Sequence, residues 1–380
     1  MKRHEYIYAD NSATTQLAPE AIEAMMPFLT EDYYNASSLY SLSRTAKDAL
    51  SEARSIIATC IGALPEEILF TSGGTESDNW AIKGRMISGR ILASKIEHHA
   101  VLNSLTLSAY FPHGSARLLP VDKVGVVSTK TLESFLSNRV SLVSIMLANN
   151  EIGTIEPIKE LAEISHRYKT LFHTDAVQAV GHIPVDVNEL GIDFLSASAH
   201  KFHGPKGIGF LFHKKNVGLD KFMDGGQQEF GLRAGTENIA SIVGMASALR
   251  VCCERMAQNT QKLKDMVKNF MEIIQTALPQ ASFNGDYLNR LPGHISLSIP
   301  GISGEGLLHF LDLKGIAVST GAACNSKSTQ ISHVLKAIHL PSNLARGTVR
   351  ISFGMYNKES DADIVAHAII DYCRKVLYHQ

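Results

Sequence analysis

The 380-residue chain is short of several things, and each shortage excludes something. Acidic and basic residues nearly cancel, 37 against 36, for a formal net charge of −1. A nucleic-acid binder normally carries a basic excess, and so does a protein drawn to an anionic bilayer, so neither partner is expected. No apolar run approaches the ~18 residues that cross a membrane; the strongest, 140–148, is strand-sized. The opening Met1-Lys-Arg-His-Glu5 is basic, but no apolar segment follows it, which reads against a secretory leader. Five cysteines, an odd number sparsely scattered, form no disulfide framework and point to a reducing, cytoplasmic compartment. Low hydrophobicity with high net charge, the signature of disorder, is also missing. Hydrophobic residues make up 45%, enough for a large core, and at about 150 residues per domain the length suggests two or three domains.

What is present is alternation. Apolar runs at 68–71, 90–94, 140–147, 170–174, 194–198 and 207–212 read as strands. Amphipathic stretches at 45–61, 76–86, 100–109 and 158–168 read as helices between them. Such alternation implies a mostly parallel sheet with helices on both faces, and ligands gather at the carboxyl ends of its strands. From 236 to 278 the helical pattern is nearly unbroken up to Pro279, too long for one helix of a compact domain, so a break is expected. Strands at 294–299, 316–319 and 348–353, with helices at 305–313, 330–338 and after 359, outline a smaller α/β domain. No low-complexity linker separates the two parts, so they are expected to pack tightly.

Three strand ends carry candidate chemistry. Ser198-Ala-His-Lys201 places a lysine after a strand, where a lowered pKa would permit covalent amine chemistry; a lone lysine in a turn is more often merely solvated. Lys206 competes with it, in a Pro-Lys-Gly context typical of a surface turn. Thr71-Ser-Gly-Gly-Thr75 runs a strand into a helix start, which is an anion site or an ordinary capped turn. Asp175, after another strand, is a helix cap, a surface charge, or the partner of a pyridinium nitrogen. Each signal is weak alone. In this order they form the set required by pyridoxal 5'-phosphate (PLP).

Here the chain resembles a known family. Ala9-Asp-Asn-Ser-Ala-Thr-Thr15, Phe70-Thr-Ser-Gly-Gly-Thr-Glu-Ser-Asp-Asn79, Glu97-His98, Asn149-Asn-Glu-Ile-Gly153, His200-Lys-Phe-His-Gly-Pro-Lys-Gly207, Arg233-Ala-Gly-Thr236 and Gly321-Ala-Ala-Cys324 are similar, in order and spacing, to the cysteine desulfurases of aminotransferase class V. The resemblance implies an α/β, fold-type I PLP-dependent transferase. Its large PLP-binding domain, 13–256, would hold a mostly parallel seven-stranded sheet. A small domain built from 1–12 and 257–380 would carry the catalytic cysteine loop. By the same resemblance Lys201 attaches PLP, Asp175 pairs with the pyridine nitrogen and Gln178 bonds the ring hydroxyl. His98 stacks on the ring and acts in proton transfer. Gly74, Thr75, Ser198 and His200 bind the phosphate, with Thr236 reaching it from a partner subunit. Asn150 lies at both cofactor and substrate, and Arg350 holds the substrate carboxylate.

Cys324 would accept sulfur from L-cysteine as a persulfide, leaving L-alanine, and pass it to an acceptor protein. It lies in a small, polar stretch, Thr320-Gly-Ala-Ala-Cys-Asn-Ser-Lys-Ser-Thr329, which is poor core material and good loop material; a cysteine inside a helix is more often buried and inert. Cys252 and Cys253 read as core or helix-face residues, Arg350 alone as an exposed cross-strand ion pair, and the adjacent His98 and His99 as no metal pair. The implied protein is a cytoplasmic homodimer. Its sulfur would serve iron–sulfur cluster assembly, tRNA thiolation, another cofactor or DNA phosphorothioation. Selenocysteine lyase, another fold-type I activity such as an aminotransferase, and a non-catalytic protein that kept the fold are the alternatives. The chain departs from the family's Asn-Pro-Ser-Ser with a following His and Gly, having Ala36, Tyr40 and Ser43 there. It also stops soon after its last helix, without the extended tail some members use for scaffold docking.

Overall fold

The computed structural model describes residues 6–86, 89–106, 115–320 and 331–377. Strands that are apolar on both faces must be covered on both faces, and the chain is laid out accordingly. It begins with β1 (Ile7–Tyr8), α1 (Pro19–Thr30) and α2 (Ser43–Ile61). Then strands and helices alternate: β2 (Ile68–Thr71), α3 (Gly74–Met86), β3 (Arg90–Ser94), α4 (His99–Leu105), β4 (Ala116–Leu119), α5 (Thr129–Phe135), β5 (Val140–Ser144), α6 (Ile158–Arg167), β6 (Leu171–Asp175), α7 (Val187–Leu190), β7 (Phe194–Ser198) and β8 (Gly209–His213). Two long helices follow, α8 (Ile239–Glu254) and α9 (Met256–Ala277). The chain ends with β9 (Ser282–Phe283), β10 (His294–Ser298), α10 (Gly304–Leu313), β11 (Ile316–Ala317), β12 (Ser319–Thr320), α11 (His333–Ala337), α12 (Ser342–Ala345), β13 (Thr348–Ser352) and α13 (Ser360–Leu377).

The main sheet has the order β2-β8-β7-β6-β5-β3-β4, and only β8 runs against its neighbours. Side chains alternate between faces along each strand. Ile68, Phe70, Leu92, Val143, Phe172 and Leu195 therefore join one buried cluster, while Leu69, Ile91, Leu142, Phe194 and Leu211 join another around Trp80. A second sheet, β12-β13-β10-β9, is antiparallel and packs its own cluster against α9 and α13. β1 leaves the N-terminus to pair in parallel with β11. Among the described residues no helix is long and apolar enough to cross a membrane.

Some boundaries move. The run at 140–147 leaves the regular ladder after Ser144, although the Ile145 and Leu147 amides still bond to His173 and Asp175 carbonyls at 3.1 and 2.9 Å. The run at 316–319 splits, because β11 pairs with β1 and β12 with β13. The expected break in the long helix falls at Arg255, whose φ of −97° and ψ of 4° interrupt the helix. Helix α1 has no counterpart in the sequence reading: Pro27 lies inside it, and Ile22, Met26 and Leu29 face outward. The expected starts and ends at 107–109 and 330 lie outside the described residues.

Candidate active site

Lys201 closes a single 3-10 turn directly after β7. The turn is strapped to the segment 12–16. Thr15 accepts from the His203 amide at 2.8 Å and donates to the His200 carbonyl at 3.0 Å. His203 takes a positive φ of 65° there, a conformation that those bonds hold in place. The Lys201 ammonium donates to the Ser12 carbonyl at 2.5 Å and to the Ala13 carbonyl at 2.9 Å. Gln178 Nε2 donates to the same Ser12 carbonyl at 2.9 Å. Lys206, the rival lysine, is an exposed residue at the rim.

Asp175 ends β6, the strand beside β7, and is buried. It accepts from the Val177 amide at 2.9 Å. Burial pushes its carboxyl above the usual range, and the nearby His98 and Lys201 charges pull it back. His98 caps α4, its Nδ1 accepting from the Ala100 amide at 3.1 Å. Burial lowers the imidazole pKa while Asp175 opposes the shift. Lys201, Asp175 and His98 thus act on one another, from the ends of β7, β6 and β3.

Beneath them lies a polar layer that sequence reasoning missed. His173 on β6 sits between Ser144 at 2.8 Å and Ser196 at 3.0 Å, and burial drives its pKa to about 3, so it is neutral. Glu97 accepts from Ser94 at 2.6 Å and the Met146 amide at 3.0 Å; its other oxygen has no partner, and burial raises its pKa to about 8. Asp78 is pushed up in the same way by burial and by Asp175. The signal for this layer was Ser, His and Thr at interior positions of otherwise apolar strands.

The start of α3 forms a cup. A cavity of about 430 Å³ is lined by Thr14, Gly73, Gly74, Thr75, Ser198 and His200, among others. A Cβ on Gly74 would lie 2.5 Å from Val177 Cγ2, and Gly73 holds φ +145°, which only glycine adopts readily. His200 bonds Thr14 Oγ1 at 3.1 Å, and burial lowers its pKa to about 4. A glycine backbone, hydroxyls and a helix N-terminus make the donor set that a phosphate requires. Together with the buried Asp175 carboxyl, which acts electrostatically on Lys201 and His98, these residues fit PLP. A neighbouring cavity of about 310 Å³ joins Thr75 to Asn79, His98 and His99.

Arg350 is buried, not the exposed pair that its strand setting alone suggested, because β13 is central in its sheet. It donates to Asp10 at 2.8 Å and to the Asn150 carbonyl at 3.0 Å, and its Nε has no partner. Asp10 and Ser12 are further site residues without a role in the sequence reading; they come from the quoted Ala9–Thr15 motif. Thr236 is exposed and lines neither cavity. Cys324 lies outside the described residues.

The chain is similar to known proteins over nearly its whole length. A curated cysteine desulfurase IscS from Dictyoglomus turgidum is 45% identical, covering 99% of this chain and 97% of its own. A solved NifS-like protein superposes with a TM-score of 0.91 at 35% identity, covering 97% of this chain and 99% of the other. A structure described as SspA in complex with cysteine gives 0.80 at 33%, covering 92% and 99%. The aminotransferase class-V family model matches residues 7–365. The chain therefore belongs to that family, as one of its PLP-dependent cysteine desulfurases.

Proposed function

We propose that the chain works as a cytoplasmic homodimer that takes sulfur from L-cysteine onto Cys324, with a large unit at 13–256 and a small one at 1–12 and 257–380. The observation that carries the site assignment is that Lys201, Asp175 and His98, from the carboxyl ends of β7, β6 and β3 in one sheet, act on one another electrostatically, with the Gly73–Gly74 cup lined by the adjacent Ser198 and His200. Lys201 would hold PLP, Asp175 its ring nitrogen, Gln178 its ring hydroxyl, and Gly74, Thr75, Ser198 and His200 its phosphate. Thr236 would complete the phosphate site from the partner subunit. Bound PLP supplies an electron sink that acidifies the substrate Cα.

The chain's own groups do the rest. Arg350, whose Nε is unmet, would take the substrate carboxylate with Asn150 beside it. The Lys201 amine would move the Cα proton, and His98, whose pKa burial lowers while Asp175 opposes the shift, would relay protons nearby. The Cys324 thiolate would attack the substrate sulfur. The C–S bond breaks, an S–S bond forms, the carbon takes up a proton, and alanine leaves; no outside oxidant is needed. An acceptor protein would then take the outer sulfur. A shared site agrees with the apolar residues exposed on one chain, including Met26, Leu29, Tyr33, Leu39 and Phe230.

Borohydride treatment of the purified yellow protein, followed by peptide mapping, should fix the cofactor on Lys201. Attachment at Lys206, or none, overturns the site. Incubation with labelled cysteine should place sulfur on Cys324 and on no other cysteine.

A further inference from the structure

Helices α2 and α8 lie side by side and run in the same direction. At their beginnings Ala46 and Ile239 share one small apolar cluster, and Leu50 and Val243 pack against it. Fourteen residues beyond Ala46 is Cys60, and fourteen beyond Ile239 is Cys253. That interval is close to four turns at about 3.6 residues per turn, so the same faces meet again. There the two half-buried cysteines pack against the same core cluster, and each thiol shifts the other's titration. Cys252, next door, is buried and turned away, its thiol donating to the Phe202 carbonyl at 3.4 Å.

We infer that Cys60 and Cys253 are a modification site: in the presence of a peroxide they form a disulfide that joins α2 to α8. The Cys253 sulfur attacks a peroxide oxygen, the O–O bond breaks, and a sulfenic acid and water (or an alcohol) result. The Cys60 sulfur then attacks the sulfenic sulfur; the S–S bond forms, the S–O bond breaks, and water leaves with the Cys60 proton. Two electrons pass from the thiols to the peroxide. Either sulfur can attack first and the same disulfide results; the neighbouring Cys60 lowers the Cys253 pKa, which favours Cys253 as the nucleophile. Phe202, which Cys252 holds, follows Lys201 directly, so the linkage would fasten the helix end that supports the lysine turn. Nothing in this bond depends on the roles proposed for Lys201 or Cys324.

The test uses fully reduced holoenzyme exposed to a small excess of hydrogen peroxide, quenched with catalase, alkylated and mapped without reductant. The expected result is a linked peptide pair containing Cys60 and Cys253, two fewer titratable thiols, and recovery of both on adding a thiol reductant. Cys60→Ser and Cys253→Ser should each abolish the pair, and Cys252→Ser should keep it. Recovery of Cys60 and Cys253 as separately alkylated or sulfinic residues, or a link that uses Cys252, overturns the inference. The wild-type map decides the matter even if a serine variant fails to fold.

Discussion

Arg350 has a visible structural role and a proposed one at the substrate. Its head group holds Asp10 and the Asn150 carbonyl while Nε remains unmet. Loss of a charge-assisted contact to a carboxylate costs about 1.5–3 kcal/mol, roughly ten- to a hundredfold in KM. Arg350→Ala should therefore raise the KM for cysteine by that factor while the protein stays yellow. It should also lower the melting temperature, since Asp10 would lose its partner. An unchanged KM would make Arg350 purely structural. Glu97 gives a prediction of another kind. Unfolded, its carboxyl releases a proton near 4.5, whereas folded it keeps the proton to about 8. Between those values the folded state binds the extra proton, so this group's contribution to stability is present at low pH and is lost as pH rises. One proton amounts to at most about 1.4 kcal/mol per pH unit. Denaturant titrations of Glu97→Gln and wild type should show the variant gaining on wild type from pH 5.5 to 8; parallel curves would mean that Glu97 is ionised in the fold. Nothing in the sequence flagged Glu97 for this, because its carboxyl is held by the Met146 amide 49 residues on as well as by Ser94.

At the scale of elements, the cup at the start of α3 gives the sharpest test. Gly74→Ala would drive a methyl to 2.5 Å from Val177 Cγ2, just past the end of β6, and relief requires the start of α3 or the Val177 side chain to shift. The variant should fold, yet titrate with PLP several-fold more weakly by absorbance; an equal affinity would remove the cup from the phosphate site. Strands were the most legible elements. β2, β3 and β7 fall where their apolar runs placed them, because strands covered on both faces are apolar on both faces and short. α1 was not legible: its apolar stripe faces outward, and Pro27 breaks the pattern that marks a helix. β4 was missed for a similar reason, being an edge strand with exposed Arg117 and Leu118. The strand-end Lys201 and Asp175 could be read from sequence because the strands preceding them could. Asp10 and Ser12 could not, since their importance lies in partners roughly 190 to 340 residues away. The departures at Ala36, Tyr40 and Ser43 form a tight turn instead of a gap: Ala36 packs on Ala46, the Ser43 hydroxyl bonds the Ser38 and Tyr40 carbonyls at 2.7 and 2.6 Å, and Tyr40 meets Tyr34 edge-on.

For the whole molecule, the first question is how many copies act together. Glu229 and Phe230 both take positive φ, 45° and 58°, and Glu229 is clamped by Arg54 at 2.8 and 2.9 Å. That strain presents Phe230 to solvent three residues before the Arg233–Thr236 motif. Phe230→Asp combined with Leu39→Asp should convert the proposed dimer to a monomer by light scattering and release PLP, because a cofactor held by two chains would stabilise their association. A yellow, fully active monomer would refute the shared site. The pairing of β1 with β11 has a further consequence, in the order of events at the ribosome. Tyr8 is made early, but its partner Ala317 emerges only after most of the chain; at 5–20 residues per second the wait is roughly 15 to 60 s. Asp10 waits longer still, for Arg350. The carbonyls that anchor the Lys201 ammonium, those of Ser12 and Ala13, belong to this same late-docking segment. The nascent chain can therefore assemble its main sheet well before its lysine is anchored, and with the role proposed for Lys201, cofactor capture would be one of the last steps of its folding.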